Sequence, residues 1–453
     1  MATTHDQPLV ALDLFAGSGW GVACQRLGIE EHGVEIVPEA VATRDAAGMS
    51  TVFRDVWDGL EDRRSPEAER GLELWLDAGG FANDYRTILI ASPPCQTFSV
   101  AGKGAGRRAL DDVFRLIPAA ADPSVDLRSA GAGLDDRTAL VLTPLAYVAR
   151  FRPTFVALEQ VPTVLPVWEA IGDVLRSEFG YSVAVGVLNA EQYGVPQTRR
   201  RAILVARRDG AEASLPTPTH SRYYSRDPQR LDEGVLPWVS MAEALGWASD
   251  TLVGRPRVSD GRDEVVVEGV AYRARDLRPA SEPAQTVTET ACSWKAWAAD
   301  GYTVRTNNFT AVARDADGGR SKRGSIPYER PITAPAPTLD GSGGGWRIGP
   351  ALDTERPTSE RARRPSPEAV AAWGRIDIPE PTVAGDPRLP RRGYRTGTQR
   401  QMDGALRLTT AQAATLQSYP AAFPFQGPQT KRFLQIGNAV PPLLAEHILS
   451  TFL

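Results

Sequence analysis

The sequence predicts an α/β fold in which a doubly wound parallel sheet is interrupted by a less regular insert domain. Short apolar segments recur between residues 9 and 207, and helix-like segments separate most of them. Strands that alternate with helices are typical of parallel sheets covered by helices on both faces. Beyond about residue 210, Pro, Gly, Arg, Asp and Thr dominate, and a regular pattern returns only at about residue 404.

Three regions follow from these changes along the chain. We predict an α/β domain over 1–210, an insert domain over 211–403 and a C-terminal return to the first domain over 404–453. The chain has 453 residues, of which 42% are hydrophobic, so it is long enough for a large core and two or three domains.

The first domain contains the clearest secondary-structure signals. Its predicted strands lie at 9–16, 33–37, 51–56, 87–91, 154–158, 181–188 and 202–207. The predicted helices lie at 21–27, 139–150, 167–178 and, after the insert, 442–453.

Composition excludes several classes of protein. None of the three cysteines (Cys24, Cys95 and Cys292) lies at metal-ligand spacing from another Cys or His, which argues against a disulfide scaffold and a structural zinc. No segment resembles a signal peptide or a membrane span of ~20 apolar residues, so we expect a cytoplasmic protein without membrane contact. The net charge of −4 leaves nucleic-acid binding open, because local patches rather than average charge decide it.

A glycine-containing turn, Asp13-Leu14-Phe15-Ala16-Gly17-Ser18-Gly19, follows the first strand. Glycines at this place let the backbone approach a ligand at the usual crevice of an open α/β sheet, although such a turn often satisfies geometry alone. Glu35 and Asp55 end the next two strands, where carboxylates can accept hydrogen bonds from ribose and from an adenine amino group. Together, the three strand ends predict a site for an adenosine-containing ligand.

A cysteine follows the fourth strand in the segment Ser92-Pro93-Pro94-Cys95-Gln96-Thr97-Phe98-Ser99. A lone cysteine is most often a small buried hydrophobe. Here two prolines stiffen the turn that presents Cys95 at the sheet edge of the predicted ligand site. A thiol with a reference pKa of about 8.5 is intrinsically very nucleophilic, so Cys95 is the candidate nucleophile.

The two segments together resemble the DNA (cytosine-5) methyltransferase family, whose nucleophile lies in a Pro-Cys-Gln motif. The resemblance covers roughly 9–210 and 404–450. Further motifs similar to those of the family occur in its order: Leu158-Glu159-Gln160-Val161, Gln197-Thr198-Arg199-Arg200-Arg201, Leu416-Gln417-Ser418-Tyr419-Pro420 and Gly437-Asn438-Ala439-Val440-Pro441-Pro442.

This resemblance implies a Rossmann-like methyltransferase domain that uses S-adenosylmethionine as methyl donor and double-stranded DNA as substrate. It implies that Cys95 attacks C6 of a flipped cytosine and that Glu159 contacts N3 and the exocyclic amine. Arg199 and Arg201 occupy alternate positions and are expected to share one face, where they would orient the base and Glu159. Arg200, on the other face, is expected to be solvated or bound to phosphate.

The resemblance also assigns the remaining site residues. The expected donor-binding residues are Asp13, Phe15, Ala16, Gly17, Gly19, Trp20, Glu35, Ile36, Asp55, Val56, Pro93, Asn438 and Val440. The expected DNA contacts are Pro94, Gln96, Ser99, Lys103, Gln160 and Gln197, and no metal is expected.

Three features depart from the family pattern. Gln160 stands where the family usually has Asn, which puts the loop-holding role of that amide in question. Trp20 replaces a common glycine, so its indole either stacks beside the donor or packs away from it. Residues 107–137 form an extra stretch after the nucleophile segment.

The insert over 211–403 matches the position of the family's target-recognition region, and its arginines suit base reading in the major groove. A role in restriction-modification or in phage or mobile-element protection is expected, with any cognate endonuclease acting separately and the enzyme acting as a monomer. Three alternatives stay open at this point: a cytosine-5 methyltransferase acting on RNA, an inactive DNA-binding homologue, and a dinucleotide-binding oxidoreductase, which would not explain the Pro-Pro-Cys-Gln segment.

Overall fold

The structure is a computed structural model. It describes residues 8–78, 86–94, 105–132, 139–254, 264–267, 270–297, 302–306, 328–331, 346–350 and 406–453. The predicted site residues Cys95, Gln96, Ser99 and Lys103 lie outside the described residues.

The first seven strands form one mixed sheet in the order β3-β2-β1-β4-β5-β7-β6. All neighbouring pairs are parallel except those of β7, which runs antiparallel to both β5 and β6. The strands are β1 (Leu9–Leu14), β2 (Glu30–Val34), β3 (Ser50–Phe53), β4 (Arg86–Ala91), β5 (Phe155–Gln160), β6 (Ser182–Asn189) and β7 (Arg200–Arg207). The predicted strands are therefore confirmed within a few residues at each end.

The strand order reverses between β1 and β4, because β2 and β3 continue to one side of β1 and β5 lies on the other side of β4. In open α/β sheets, ligands bind in the crevice outside the carboxyl ends of the strands at such a reversal. The turn at 15–18 follows β1 and the segment beginning at Ser92 follows β4, so both border this crevice.

Side chains of the sheet alternate between two cores. In β1, Val10 and Leu12 belong to one buried cluster, whereas Leu9 and Ala11 belong to another. Helices cover both faces, which confirms the doubly wound architecture. The helices outside the insert are α1 (Gly19–Leu27), α2 (Pro38–Ala46), α3 (Pro66–Ala78), α4 (Ala105–Ala121), α5 (Leu127–Ala130), α6 (Thr143–Phe151), α7 (Leu165–Ser177), α9 (Thr410–Leu416), α10 (Gln429–Asn438) and α11 (Pro442–Leu449).

The extra stretch at 107–137 contains most of α4 and all of α5, and α4 packs against α5, α6 and α7. Val113 and Ile117 of α4 are buried in the first core, at the four-residue spacing of one helix face. The extra stretch therefore adds a helical layer to the catalytic domain.

The chain divides into two compact units. The first comprises 1–257, 275–299 and 406–453, and the second comprises 258–274 and 300–405. Much of the predicted insert, including α8 (Met241–Leu245), thus packs with the first unit. The domain boundaries predicted from the sequence stay predictions, because compactness does not show which residues recognise DNA.

Short antiparallel strands complete both units. In the first unit, the order β11-β8-β12-β16 joins β8 (Leu252–Gly254), β11 (Leu277–Pro279), β12 (Lys295–Trp297) and β16 (Leu406–Arg407). The second unit contains the pair β9 (Glu264–Val267) and β10 (Val270–Arg273) and the order β14-β13-β15, formed by β13 (Tyr302–Thr306), β14 (Tyr328–Pro331) and β15 (Trp346–Pro350). Across the described ranges, no helix is long and apolar enough to cross a membrane.

Candidate active site

The turn after β1 adopts an unusual backbone conformation. Phe15 and Gly17 have positive φ angles of 60° and 48°, a region that side-chain-bearing residues such as Phe15 enter rarely. The turn is held from the next strand, because Ala16 N donates to Val34 O at 3.0 Å and Gly17 N donates to Glu35 Oε2 at 2.9 Å. These bonds fix the turn at the crevice.

Glu35 and Asp55 follow β2 and β3 at the same edge. Glu35 Oε1 also accepts from Val37 N at 2.8 Å, and Asp55 Oδ1 accepts from Trp57 N at 3.0 Å. Each carboxylate oxygen can accept more than one hydrogen bond, so these groups keep capacity for a ligand hydroxyl or amine. Ile36, between them in the chain, is 64% exposed, a large apolar surface at the edge of the crevice. Val56, by contrast, is buried.

Asp13 lies beneath the turn and is fully buried. Both of its carboxylate oxygens lack a hydrogen-bond partner among the described residues. Burial, together with the nearby carboxylate of Glu31, raises the pKa of Asp13 well above its usual range. Arg44, also fully buried, binds both oxygens of Glu31 at 2.8 and 2.9 Å and donates to Gly17 O at 3.2 Å. The site thus contains a buried carboxyl that has no hydrogen-bond partner in the described ranges of the chain.

The C-terminal segment packs directly on this turn. A Cβ atom at Gly19 would lie 2.2 Å from Val440 O, so only glycine allows the two backbones to approach this closely. Ser18 Oγ and Tyr419 OH share a hydrogen bond of 2.9 Å. Asn438 is exposed, and its amide makes no hydrogen bond within the described part of the chain. The C-terminal segment therefore contacts the turn through the close approach of Val440 to Gly19 and the hydrogen bond of Tyr419 with Ser18.

The segment before Cys95 is anchored from both sides. Ser92 Oγ accepts a hydrogen bond of 2.9 Å from the indole Nε1 of Trp20, which is 1% exposed. On the other side, the Gln160 amide nitrogen donates to the carbonyl oxygen of Pro93, while its oxygen accepts from Val161 N. The longer amide at position 160 thus contacts the loop, and the indole of Trp20 packs into the core. Pro94, the last described residue before the nucleophile, is half-buried.

Glu159 and Arg201 form a buried ion pair at the carboxyl end of β5. Arg201 Nε lies 2.6 Å from Glu159 Oε1, and their side chains are 12% and 4% exposed. Glu159 pairs with Ile203 across β5 and β7, so Arg201, two residues away, lies on the same face. This pairing agrees with the expectation that Arg201 orients Glu159.

The described hydrogen bonds of Arg199 go to backbone carbonyl oxygens rather than to Glu159, and its predicted catalytic role stays a prediction. Arg199 is 1% exposed and donates to Gly437 O at 3.0 Å, Ala439 O at 2.9 Å and Val287 O at 3.3 Å. β7 begins at Arg200, so the alternation of a strand does not extend to Arg199. These hydrogen bonds link Arg199 to the segments around residues 287 and 437–439.

Gln197 is likewise fully buried, contrary to its predicted contact with DNA. Its amide nitrogen donates to Leu416 O at 3.1 Å and Gln417 Oε1 at 2.5 Å, and its oxygen accepts from Val287 N at 2.8 Å. A side chain enclosed by these bonds presents no surface to DNA, which corrects that expectation.

Sequence reasoning missed the polar residues that hold the site together, chiefly Arg44, Gln417 and Tyr419. Gln417 donates to Ala439 O at 2.7 Å, so it supports the same segment as Arg199. One signal existed: Gly33 leaves the space that Arg44 fills, since a Cβ atom there would lie 2.1 Å from its guanidinium.

No cluster of three metal-ligating side chains occurs among the residues that the structure describes. Cys24, buried, and Cys292, half-buried, are free thiols. Burial and the nearby Glu31 raise the pKa of Cys24 well above its usual range, so this thiol is not a competing nucleophile.

Residues 126–453 match the C-5 cytosine-specific DNA methylase family. The chain belongs to this family. Type II methyltransferase M.OihORF3336P of Oceanobacillus iheyensis is 25% identical to the methylase over an alignment of 499 residues, gaps included, which covers 99% of this chain and 96% of the relative. Type II methyltransferase M.XorII of Xanthomonas oryzae is 27% identical over 461 residues, covering 97% and 83%.

A solved methyltransferase structure from Entamoeba histolytica aligns over 98% of both chains with a TM-score of 0.48 and 10% identity. Family membership and the seven-stranded sheet confirm the predicted Rossmann-like methyltransferase fold. The methylase is a DNA (cytosine-5) methyltransferase, and DNA is its substrate.

Proposed function

We propose that this methylase transfers a methyl group from S-adenosylmethionine to C5 of a flipped cytosine in a short duplex sequence, through a covalent bond between Cys95 and C6. The observation that carries the proposal is the pair of contacts made by consecutive residues of β5. Glu159 binds Arg201, and Gln160 binds the carbonyl oxygen of Pro93. The base-binding carboxylate is thereby coupled to the segment that presents Cys95.

The donor crevice fits an adenosine ligand. Glu35 and Asp55 offer acceptor oxygens that suit ribose hydroxyls and an adenine amine. Burial raises the pKa of Asp13 well above its usual range, so its carboxyl can offer both a donor and an acceptor oxygen. Phe15 and Ile36 supply apolar surface for the adenine ring. The unpaired oxygens of Asp13 support this fit most directly, because a buried polar atom without a partner is costly unless a ligand satisfies it. When bound, S-adenosylmethionine supplies an electrophilic methyl group.

Cys95 as its thiolate would add to C6 of cytosine and make C5 nucleophilic. Glu159 would hold the ring at N3 and at the exocyclic amine, and Arg201 would fix the orientation of that carboxylate. After methyl transfer, loss of the C5 proton and release of the thiolate from C6 restore the aromatic ring. Because C5 lies inside the duplex stack, the cytosine must first be flipped, at a cost of a few kcal/mol.

The biological setting follows from the relatives, which carry type II methyltransferase names. We infer that the methylase modifies a specific site within a restriction-modification system or protects mobile DNA. A separate cognate endonuclease, monomeric action and base reading by residues of the predicted insert belong to this proposal.

The test is to express the chain in a host without cytosine methylation and to sequence its DNA after bisulfite conversion. Protected cytosines within one short motif, absent with Cys95→Ala, are the expected result and identify the site. Soluble protein that binds S-adenosylmethionine but protects no cytosine would overturn the proposal.

A further inference from the structure

A cavity of about 350 Å³ lies beside the Glu159–Arg201 pair, and the proposed mechanism leaves it unused. Its lining comes from the end of β6 and the turn after it, the start of β7, the loop around residue 222, β11 and the segment after β11. Its walls are polar and basic. The lining residues that matter here are Arg200, Arg201, Arg222, Arg278, Glu191 and Tyr223.

Two of the four arginines are already neutralised. Arg201 pairs with Glu159, and Arg278 Nε lies 3.6 Å from a carboxylate oxygen of Glu282. Arg200 and Arg222 are exposed and form no ion pair with any carboxylate in the described parts of the chain. Both guanidinium groups are therefore free of described ion pairs, although the carboxyl of Glu191 in the same lining attracts that of Arg222.

The basic wall is built in advance. Arg278 also donates to Thr198 Oγ1 at 3.2 Å and to Pro283 O at 2.7 Å, and its guanidinium lies 4.9 Å from the centre of the Tyr223 ring. The loop that carries Arg222 is closed by Asp232, which accepts from Arg222 N at 2.9 Å and from Tyr224 OH at 2.8 Å. These bonds hold the backbone of this loop in place. They use the backbone N–H of Arg222 and leave its guanidinium group available.

Glu191 is the acidic residue of the lining. It is 3% exposed, and its Oε2 atom has no hydrogen-bond partner among the described residues. Burial raises the pKa of Glu191 to about 7, against the opposing effects of backbone N–H groups and Arg222. Near neutral pH, a protonated carboxyl is available there to donate a hydrogen bond to an anion.

We propose that this cavity binds a backbone phosphate of the substrate DNA next to the target cytosine, with Arg200 and Arg222 as its contacts. The inference rests on the proposed function, since it places the phosphate beside the base that Glu159 would hold. Guanidinium groups match phosphate oxygens in bidentate geometry. A neutral base would offset neither positive charge, whereas one phosphodiester offsets one of them.

Arg200 and Arg201 are adjacent in the chain, so the proposed phosphate site lies next to the residue that binds Glu159. Arg201 is directed to Glu159 and also lines the cavity, so a phosphate bound there would lie close to the flipped nucleotide. Contacts of this kind position a substrate without reading its sequence. Loss of Arg200 or Arg222 is therefore expected to weaken binding about equally for cognate and unrelated duplexes.

The test uses the full chain and a duplex that carries the site identified by bisulfite sequencing. Single phosphates near the target cytosine are replaced one at a time by uncharged methylphosphonates, and dissociation constants are measured for wild type and for R200A, R222A and the double variant. Arg226→Ala is the matched control, because Arg226 is exposed on the same loop but does not line the cavity.

We expect one methylphosphonate to weaken wild-type binding about 10-fold and to have no further effect on the double variant. The double variant should flatten the salt dependence of log K by about 0.9, the change for one lost phosphate contact, each single variant should flatten it less, and R226A should match wild type. If every methylphosphonate weakens the double variant as much as wild type, the phosphate site is wrong. A double variant with altered sequence preference and an unchanged salt slope would also overturn it, because the cavity would then contact a base. If the wild type fails to methylate any duplex, the proposed function itself fails.

Discussion

At residue 160, an amide one methylene longer than the Asn usual in the family contacts the loop that carries the nucleophile. Gln160 is 6% exposed and joins Pro93 O to Val161 N through the two ends of its amide. A buried amide with both ends bonded fixes the backbone that it links. The sequence raised doubt about this residue, and its contacts support a role in holding the loop.

Substitution of this residue should reduce turnover while leaving donor binding intact. Gln160→Ala removes the anchor of Pro93 and leaves its carbonyl oxygen without that donor, at a cost of about 1–3 kcal/mol. We expect kcat to fall by about 10- to 100-fold, because the loop leaves its reactive position more often.

Gln160→Asn is the graded comparison, and steady-state kinetics with calorimetric titration of S-adenosylmethionine is the measurement. An alanine variant with wild-type kcat would show that the amide does not position the nucleophile.

The raised pKa of a second residue, Glu191, leads us to expect that the free energy of unfolding depends on pH. Its pKa is raised from the usual 4.5 to about 7 by burial. A carboxyl whose pKa is higher in the folded state stabilises the fold below its unfolded pKa, and this contribution is lost as the pH rises through about 7.

The free energy of unfolding of wild type should therefore fall relative to Glu191→Gln between pH 4.5 and above 7, by up to about 3 kcal/mol. Urea unfolding of both proteins at a series of pH values measures this difference. A constant difference between the two proteins across the range would contradict the raised pKa of this buried carboxyl.

At the scale of elements, the N-terminus of α1 and the segment between α10 and α11 meet without room for a side chain. Gly19 allows this approach to Val440, and Arg199 and Gln417 both donate to the carbonyl oxygen of Ala439 in the same segment. The donor crevice is thus completed by an element more than 400 residues away in the chain.

Gly19→Ala should separate these elements. The added Cβ atom would lie 2.2 Å from Val440 O, and such overpacking against backbone costs about 1–3 kcal/mol. We expect the affinity for S-adenosylmethionine to fall about 10-fold or more, measured by calorimetry.

Gly21→Ala is the control, because its Cβ atom would meet the flexible Met49 side chain at 2.7 Å, which can move. Equal donor affinity in both variants would show that the contact between α1 and the C-terminal segment does not shape the crevice.

The positions of the strands, and the carboxylates that follow them, were predictable from the sequence, because apolar runs and the residues after them are local signals. The family resemblance implied that Arg201 orients Glu159, and the ion pair between them is consistent with that expectation. Arg199 lies outside the strand, where tertiary hydrogen bonds decide the direction of a side chain. The same limit applies to Gln197, whose partners lie about 90 and 220 residues away.

At the scale of the whole molecule, one catalytic unit is assembled from three separated parts of the chain, 1–257, 275–299 and 406–453. The sequence indicated the return of the last part through its Gly-Asn-Ala-Val-Pro-Pro motif. It did not indicate that 275–299 packs with the catalytic unit, because short irregular segments carry no periodic signal. Arg278 and Thr286, which line the basic cavity, come from this part.

The most direct test of the central claim is covalent capture through Cys95. Purified chain and S-adenosylmethionine are incubated with a duplex that carries 5-fluorocytosine at the site found by bisulfite sequencing, and denaturing gels report the complex. Fluorine at C5 cannot leave as a proton would, so a methylated adduct should accumulate with wild type. It should be absent with Cys95→Ser and without the donor. A stable complex with Cys95→Ser, or none with a wild type that methylates ordinary cytosine, would contradict nucleophilic catalysis by Cys95.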